Sequence, residues 1–238
     1  MIDPDRHLNI GSLIFDGIDQ IDLTGPFEVL ARIPNSTYRL YGKTDGMIRD
    51  VKGLRISPDG AIADAPQLDV LHIPGGFGQE VLMEDQEVLG WISQQAEGAH
   101  SIFSVCTGAL ICGAAGLLKR RRATTHWASF HLLPYFGAFP VDERVVVDGN
   151  WVFAAGVTAG IDGALRLVAE LRGDAAAQAI QLSMVYAPEP PFDAGTPASA
   201  PPEIVAAMRE SVSAITAQRE ATARKVAERL AVSASASL

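Results

Sequence analysis

Cys106 stands where a chain of apolar and β-branched residues changes abruptly into small ones, in the run Ser101-Ile102-Phe103-Ser104-Val105-Cys106-Thr107-Gly108. Residues 101–105 read as a short buried strand, and Thr107 through Ala115 as a closely packing helix of small residues. Cys106 falls on the joint between them, at the carboxyl edge of a parallel sheet with the next helix's unpaired N–H groups beside it. Ser104-Val105-Cys106-Thr107-Gly108 has the small-x-nucleophile-x-Gly form of a nucleophile elbow, with Cys in place of Ser. A helix start there is expected to lower the thiol pKa and supply thiolate near neutral pH. The competing reading is a buried structural cysteine, the commonest role of a free Cys. Cys112, one and a half turns into the same helix, reads as packing.

Two further stretches point to the same edge. Pro74-Gly75-Gly76 follows the apolar run Asp69–Ile73, and glycine lets a backbone N–H approach a ligand. With the N–H of Thr107, that turn could stabilise an oxyanion beside Cys106; alone it is only a tight turn. Asp22, in Asp22-Leu23-Thr24-Gly25-Pro26, is either a helix N-cap or a carboxyl delivered to the thiol to shuttle one proton, with a pKa raised by burial. A Cys-His-acid triad is harder to assemble. Only His126 and His131 follow Cys106, and neither has an acid two residues on. His126 and Trp127 read as pocket wall or core.

The elements that must position these residues alternate. Strands are expected at Asn9–Phe15, Thr37–Gly42, Asp69–Ile73 and Ser101–Val105. Hairpins are expected at Met47–Ile56 and around Asp148-Gly149-Asn150. Helices are expected from Asp22 to Ala31, Glu87 to Glu97, Thr158 to Leu171 and Ala175 to Tyr186. This order predicts an α/β fold, a layered and mostly parallel sheet with helices on both faces, in one domain over 1–238. Residues 187–202 are a Pro-rich connection, 203–230 one long C-terminal helix, and 231–238 a frayed or disordered tail.

Bulk properties exclude several classes. In 238 residues, 48% are hydrophobic and 20% charged, a globular balance, and the net charge of −9 opposes general nucleic-acid or anionic-membrane binding. No apolar run approaches the roughly 20 residues of a membrane span. The start, MIDPDRHLNIG, lacks a basic region and an apolar signal core, so a cytoplasmic location is expected. The two cysteines would sit about 9 Å apart at Cα, too far for a disulfide. The five histidines are scattered, and no metal site is expected.

The segments QIDLTGPFEVL, DVLHIPGG, SVCTGALICGAAGLL, RATTHWA, ERVVVDGN, TAGIDGAL and YAPEPPFDAG, in this order and spacing, resemble the ThiJ/PfpI superfamily. The likeness runs from about Asn9 to Leu230, and the Asp of DLTGP resembles the isocyanide-hydrating branch rather than members with Glu. It implies a flavodoxin-like, class I glutamine-amidotransferase-like fold and addition of water to an isocyanide to give an N-formamide. It implies Cys106 as nucleophile, Asp22 as acid, Thr107 lining the site, and Gly76 with Thr107 as backbone oxyanion donors. His126, Trp127 and Gly156 would form the pocket, with no cofactor, no metal, a small isocyanide substrate and a homodimer that the C-terminal helix helps to build. The alternatives are a sensor-type or redox-responsive protein in which Cys106 is oxidised, another hydrolase of the superfamily, and the sensor domain of an AraC-type regulator. About 35 residues follow the Pro-rich stretch, with no basic recognition pattern, which argues against DNA binding.

Overall fold

The computed structural model describes residues 1–232. Its strands are β1 (Leu8–Ile14), β2 (Ser36–Gly42), β3 (Ile48–Arg49), β4 (Arg55–Ile56), β5 (Gly60–Ala61), β6 (Val70–Ile73), β7 (Ser101–Val105), β8 (Arg122–Ala123), β9 (Phe139–Pro140), β10 (Val145–Asp148) and β11 (Trp151–Ala154). The helices are α1 (Gln20–Leu30), α2 (Gln79–Leu82), α3 (Gln86–Gly98), α4 (Gly108–Ala114), α5 (Ala159–Arg172), α6 (Asp174–Ser183), α7 (Pro202–Ser211) and α8 (Ser213–Arg229), with a 3-10 segment at Trp127–Phe136. Seven strands form the central sheet in the order β10-β11-β7-β6-β1-β2-β5. Every neighbouring pair is parallel except β10 with β11. A mostly parallel sheet must be covered on both faces. Ile102 and Leu71 join one core with Val88, Leu110 and Phe136, whereas Phe103, Val105 and Val70 join the other with Val29 and Leu167. Among the described residues no helix is long and apolar enough to cross a membrane.

The strand order decides where chemistry collects. β1, β6 and β7 are adjacent and parallel, so their carboxyl ends open on one edge. From that edge β1 leads into α1 and Asp22, β6 into Gly75 and Gly76, and β7 into Cys106. Residues separated by more than fifty positions thereby become neighbours.

Three local expectations change. The cap of α1 is Asp19, in extended backbone (φ −80°, ψ 116°), whose side chain accepts from the N–H of Ile21. Asp22 is therefore in the first turn, free of capping. The C-terminal segment is two helices rather than one: the chain breaks at Val212 (φ −109°, ψ 7°), and α7 buries no residue while α8 buries Arg219, Thr222, Ala223 and Val226. Of the expected tail, Ala231 and Val232 are bonded back to α8 through Glu228 and Ala227; residues 233–238 lie outside the described residues.

Gly108 opens α4 against the end of β6. A Cβ there would press on the Ile73 carbonyl oxygen and lie 2.9 Å from that of Pro74. Gly90, inside α3, has nothing within 4 Å of the same position. Gly108→Ala is therefore expected to destabilise by about 1–3 kcal/mol, and Gly90→Ala to stabilise by roughly 0.5–1 kcal/mol. Urea denaturation of both variants checks the opposite signs.

Candidate active site

Cys106 is buried, 7% exposed, and adopts φ 55°, in the left-handed region that a side chain seldom occupies. Its backbone is held on both sides: its N–H donates to the Ala154 carbonyl of β11 (2.9 Å), and its carbonyl accepts from the Thr125 hydroxyl (2.7 Å). Those contacts keep a strained residue in a single geometry, with its sulfur facing the Thr107 amide and Asp22.

Asp22 is fully buried. Its Oδ2 accepts from the Gly75 N–H at 3.0 Å, Oδ1 has no hydrogen-bond partner, and the Cys106 thiol faces the carboxyl. Gly76 makes the approach possible. With φ 142°, any Cβ on it would collide with the Asp19 amide and the Gly17 carbonyl. Its N–H donates to the Thr107 hydroxyl (3.1 Å), and that hydroxyl in turn donates to the Gly76 carbonyl (3.3 Å). The Gly76 N–H is thus committed to Thr107, where the sequence suggested an oxyanion donor. The amide facing the sulfur is that of Thr107.

The electrostatics also depart from expectation. Burial first, then the nearby Asp19 carboxylate, lifts Asp22 from 3.8 to about 8 against the pull of the Gly75 hydrogen bond. Burial and the Asp22 charge push the Cys106 thiol well above its usual value, and the Thr107 amide and Arg219 only partly offset this. Proximity to a helix start therefore does not make a free thiolate here; desolvation wins. The thiol and the carboxyl form a coupled pair in which both groups are protonated at neutral pH. Cys112 is fully buried in α4, with its thiol pushed up to about 12, and both cysteines are free.

His126 caps the 3-10 segment, its Nδ1 accepting from the Ala128 N–H at 3.3 Å, and burial lowers its pKa. It packs against Trp127 (5.4 Å between ring centroids), and a Cβ on Gly156 would lie 3.2 Å from its ring. His126 thus touches both of the other two, and its neighbour Thr125 bonds the Cys106 carbonyl. Among the described residues no group of three or more His, Cys, Asp or Glu side chains could hold a metal ion.

Two features escaped sequence reasoning. Under the site, His72 on β6 bonds to Ser12 on β1 (2.5 Å) and to Tyr38 on β2 (3.0 Å) and stacks on Phe103. Burial drives its pKa to about 3, so it is neutral. The second is Arg219 of α8, 5% exposed, donating to the Gly76 carbonyl at 2.9 Å and reaching Ser129 Oγ at 3.4 Å. The cross-strand pairing of Ser12 with His72 follows from strand order; nothing local in the sequence marks Arg219.

Residues 9–170 match the model of the DJ-1/PfpI family. The chain belongs to that family. Among the relatives of this DJ-1/PfpI protein, an isonitrile hydratase from Pseudomonas putida is 46% identical over 222 residues, 93% of this chain and 97% of that one. The transcriptional regulator GbdR of Pseudomonas aeruginosa is 29% identical over 189 residues, 75% of this chain but only 50% of its own. A solved ThiJ/PfpI family protein from Pseudomonas syringae superposes with a TM-score of 0.89 at 38% identity, covering 92% and 91% of the two chains. Drosophila melanogaster DJ-1beta shares the fold, with a TM-score of 0.67 at 20% identity.

An acid raised from 3.8 to about 8 holds a proton that the unfolded chain has lost between those values. The native state then binds more protons than the unfolded one, so stability falls as pH rises across that window, by up to about 1.4 kcal/mol per pH unit. Asp22→Asn removes the dependence. Its stability relative to the unsubstituted protein should grow from pH 5 to pH 7 and level off above about pH 8. Parallel stability–pH curves from urea denaturation would count against the assignment.

Proposed function

We propose that this DJ-1/PfpI protein hydrates isocyanides, also called isonitriles, to N-formamides through a covalent intermediate on Cys106. The observation that carries the chemistry is the buried Cys106–Asp22 pair, a nucleophile and a proton carrier in contact with no histidine between them. The substrate class comes from the near full-length likeness to the Pseudomonas putida isonitrile hydratase.

An isocyanide R–N≡C needs a nucleophile and a proton at the same carbon. In the proposed sequence the reactive pair holds one proton, and the Cys106 sulfur bonds to that carbon as this proton passes to it through Asp22, giving the thioimidate R–N=CH–S–Cys106. Asp22, now ionised, takes a proton from water as the water oxygen bonds to the same carbon. That proton passes to the nitrogen, leaving R–NH–CH(OH)–S–Cys106. The C–S bond then breaks, the hydroxyl proton returns to the Cys106–Asp22 pair, and R–NH–CHO departs. Negative charge on sulfur during attack and departure faces the Thr107 amide, and Thr107 Oγ1 fixes the Gly75-Gly76 turn that holds Asp22. His126, Trp127 and Gly156 wall the approach.

A homodimer fits the surface. Leu182, Val185, Phe192, Ile204 and Met208 are exposed along 182–208, and α7 has no residue buried in its own chain. Such a density of exposed apolar side chains marks an interface. The face of α8 that carries Arg219 packs within the chain, so α7 and the connection before it form the contact.

With a simple alkyl isocyanide, wild-type protein should yield formamide. Cys106→Ala should abolish this, Cys112→Ala should stay within about twofold, and Asp22→Asn should lose about 10²-fold or more, as for loss of a general acid–base. Turnover should rise as pH passes through about 8, where the pair gives up the first of its two protons and leaves the single one that the reaction uses. Retained turnover in Cys106→Ala rejects the covalent route. Sedimentation should give a dimer that Leu182→Glu with Ile204→Glu converts to monomer; a monomeric wild-type protein rejects the interface.

A further inference from the structure

Arg219 is a buried cation that makes no ion pair. Among the described residues no carboxylate oxygen lies within 4.0 Å of its guanidinium. It donates to two neutral acceptors, the Gly76 carbonyl and Ser129 Oγ, lies over the Phe77 ring at 5.8 Å, and its Nε has no partner. The nearest acid whose charge it feels, Glu80, is occupied by two neutral donors from α8, Thr222 (2.6 Å) and Gln218 (2.9 Å). Removing a charge from water without a counter-ion costs several kcal/mol, and an arginine cannot escape by losing its proton. Packing alone does not explain such a residue; a neutral side chain of similar volume would serve at least as well there.

The Cys106 sulfur is a second anion that can face this cation, and it forms during reaction. The Gly76 carbonyl that Arg219 holds belongs to the turn hydrogen-bonded to Thr107, and the positive charge acts on Cys106. We propose that Arg219 is the counter-charge of the Cys106 thiolate: α8 carries a fixed cation into the active site to stabilise sulfur anion when the Asp22 carboxyl holds the pair's proton and again when the C–S bond breaks. It acts through its field and through the Gly76 turn rather than by touching the reacting atoms. The family match ends at residue 170, so this charge comes from the part of the chain beyond it. The inference rests on Cys106 as the reacting atom, and not on the identity of the substrate.

The other groups that face the thiol or Arg219 are Asp22 and Asp19 from α1, Glu80 from α2, and the neutral His126. All are unchanged in the test, which follows alkylation of Cys106 by iodoacetamide from pH 6 to 10 in a Cys112→Ala background. Arg219→Gln keeps a donor for the Gly76 carbonyl without the charge, and Arg219→Met removes both; each is read independently of whether the other folds. Arg219→Lys keeps the charge. Loss of charge should slow alkylation at pH 7 by about tenfold or more, equivalent to a thiol pKa raised by about one unit or more. Lysine should recover most of the rate, and Arg219→Met should have a thermal midpoint equal to or above that of the parent. An unchanged alkylation profile in a folded Gln or Met variant overturns the proposal, as does a Lys variant as slow as the neutral ones. Because iodoacetamide replaces the isocyanide, absence of formamide from wild-type protein rejects the hydratase reading, whereas these outcomes reject the role of Arg219.

Discussion

A carboxyl group and a thiol in contact, both removed from water, form the constraint around which this molecule is arranged. Either group alone would protonate and become inert packing. Together they share a site in which forming one negative charge opposes forming a second, so that a proton remains available at neutral pH. The single strong donor to the carboxyl, the Gly75 N–H, orients it without ionising it: burial raises the Asp22 pKa more than that hydrogen bond lowers it.

The surroundings can be read as what that pair requires. Cys106 accepts an unfavourable backbone conformation because β11 and Thr125 hold its N–H and carbonyl. Gly76 must be glycine because Gly17 and Asp19 occupy the space of a side chain. Thr107 ties the turn after β6 to the turn after β7 through one hydroxyl. Beneath them the Ser12–His72–Tyr38 group joins three adjacent strands by hydrogen bonds. Each is a local departure from the most stable arrangement, and the departures cluster at the site, where function is the compensating gain.

The sheet and the elbow were legible because each has a short-range signature, whereas the residues alone left Asp22 open between a helix cap and a partner for Cys106. An apolar run meeting Thr-Gly-Ala marks the end of β7, and Pro-Gly-Gly the end of β6. What was misread depended on context. Asp16, Asp19 and Asp22 recur every three residues, and only the position of the helix start decides that Asp19 is the cap. The thiol was expected to ionise readily from its place beside a helix; its depth decides otherwise. The break at Val212 has no Gly or Pro to announce it. Arg219 is one of several basic residues in its helix, and its burial arises from packing against residues more than eighty positions away. Only the docking of α8 shows which of those charges enters the site.

The central claim is that Asp22 is protonated in the resting protein, and its ionisation can be observed directly. Carbon-13 NMR of protein labelled at aspartate side-chain carboxyls, with Asp22→Asn used to assign the resonance, should show one carboxyl protonated at pH 7 and titrating near 8. In Cys106→Ala, which removes the thiol beside it, the same resonance should still titrate well above the ordinary carboxylate range, since burial is the largest cause of the shift. An Asp22 carboxyl already ionised at pH 6 would contradict the account.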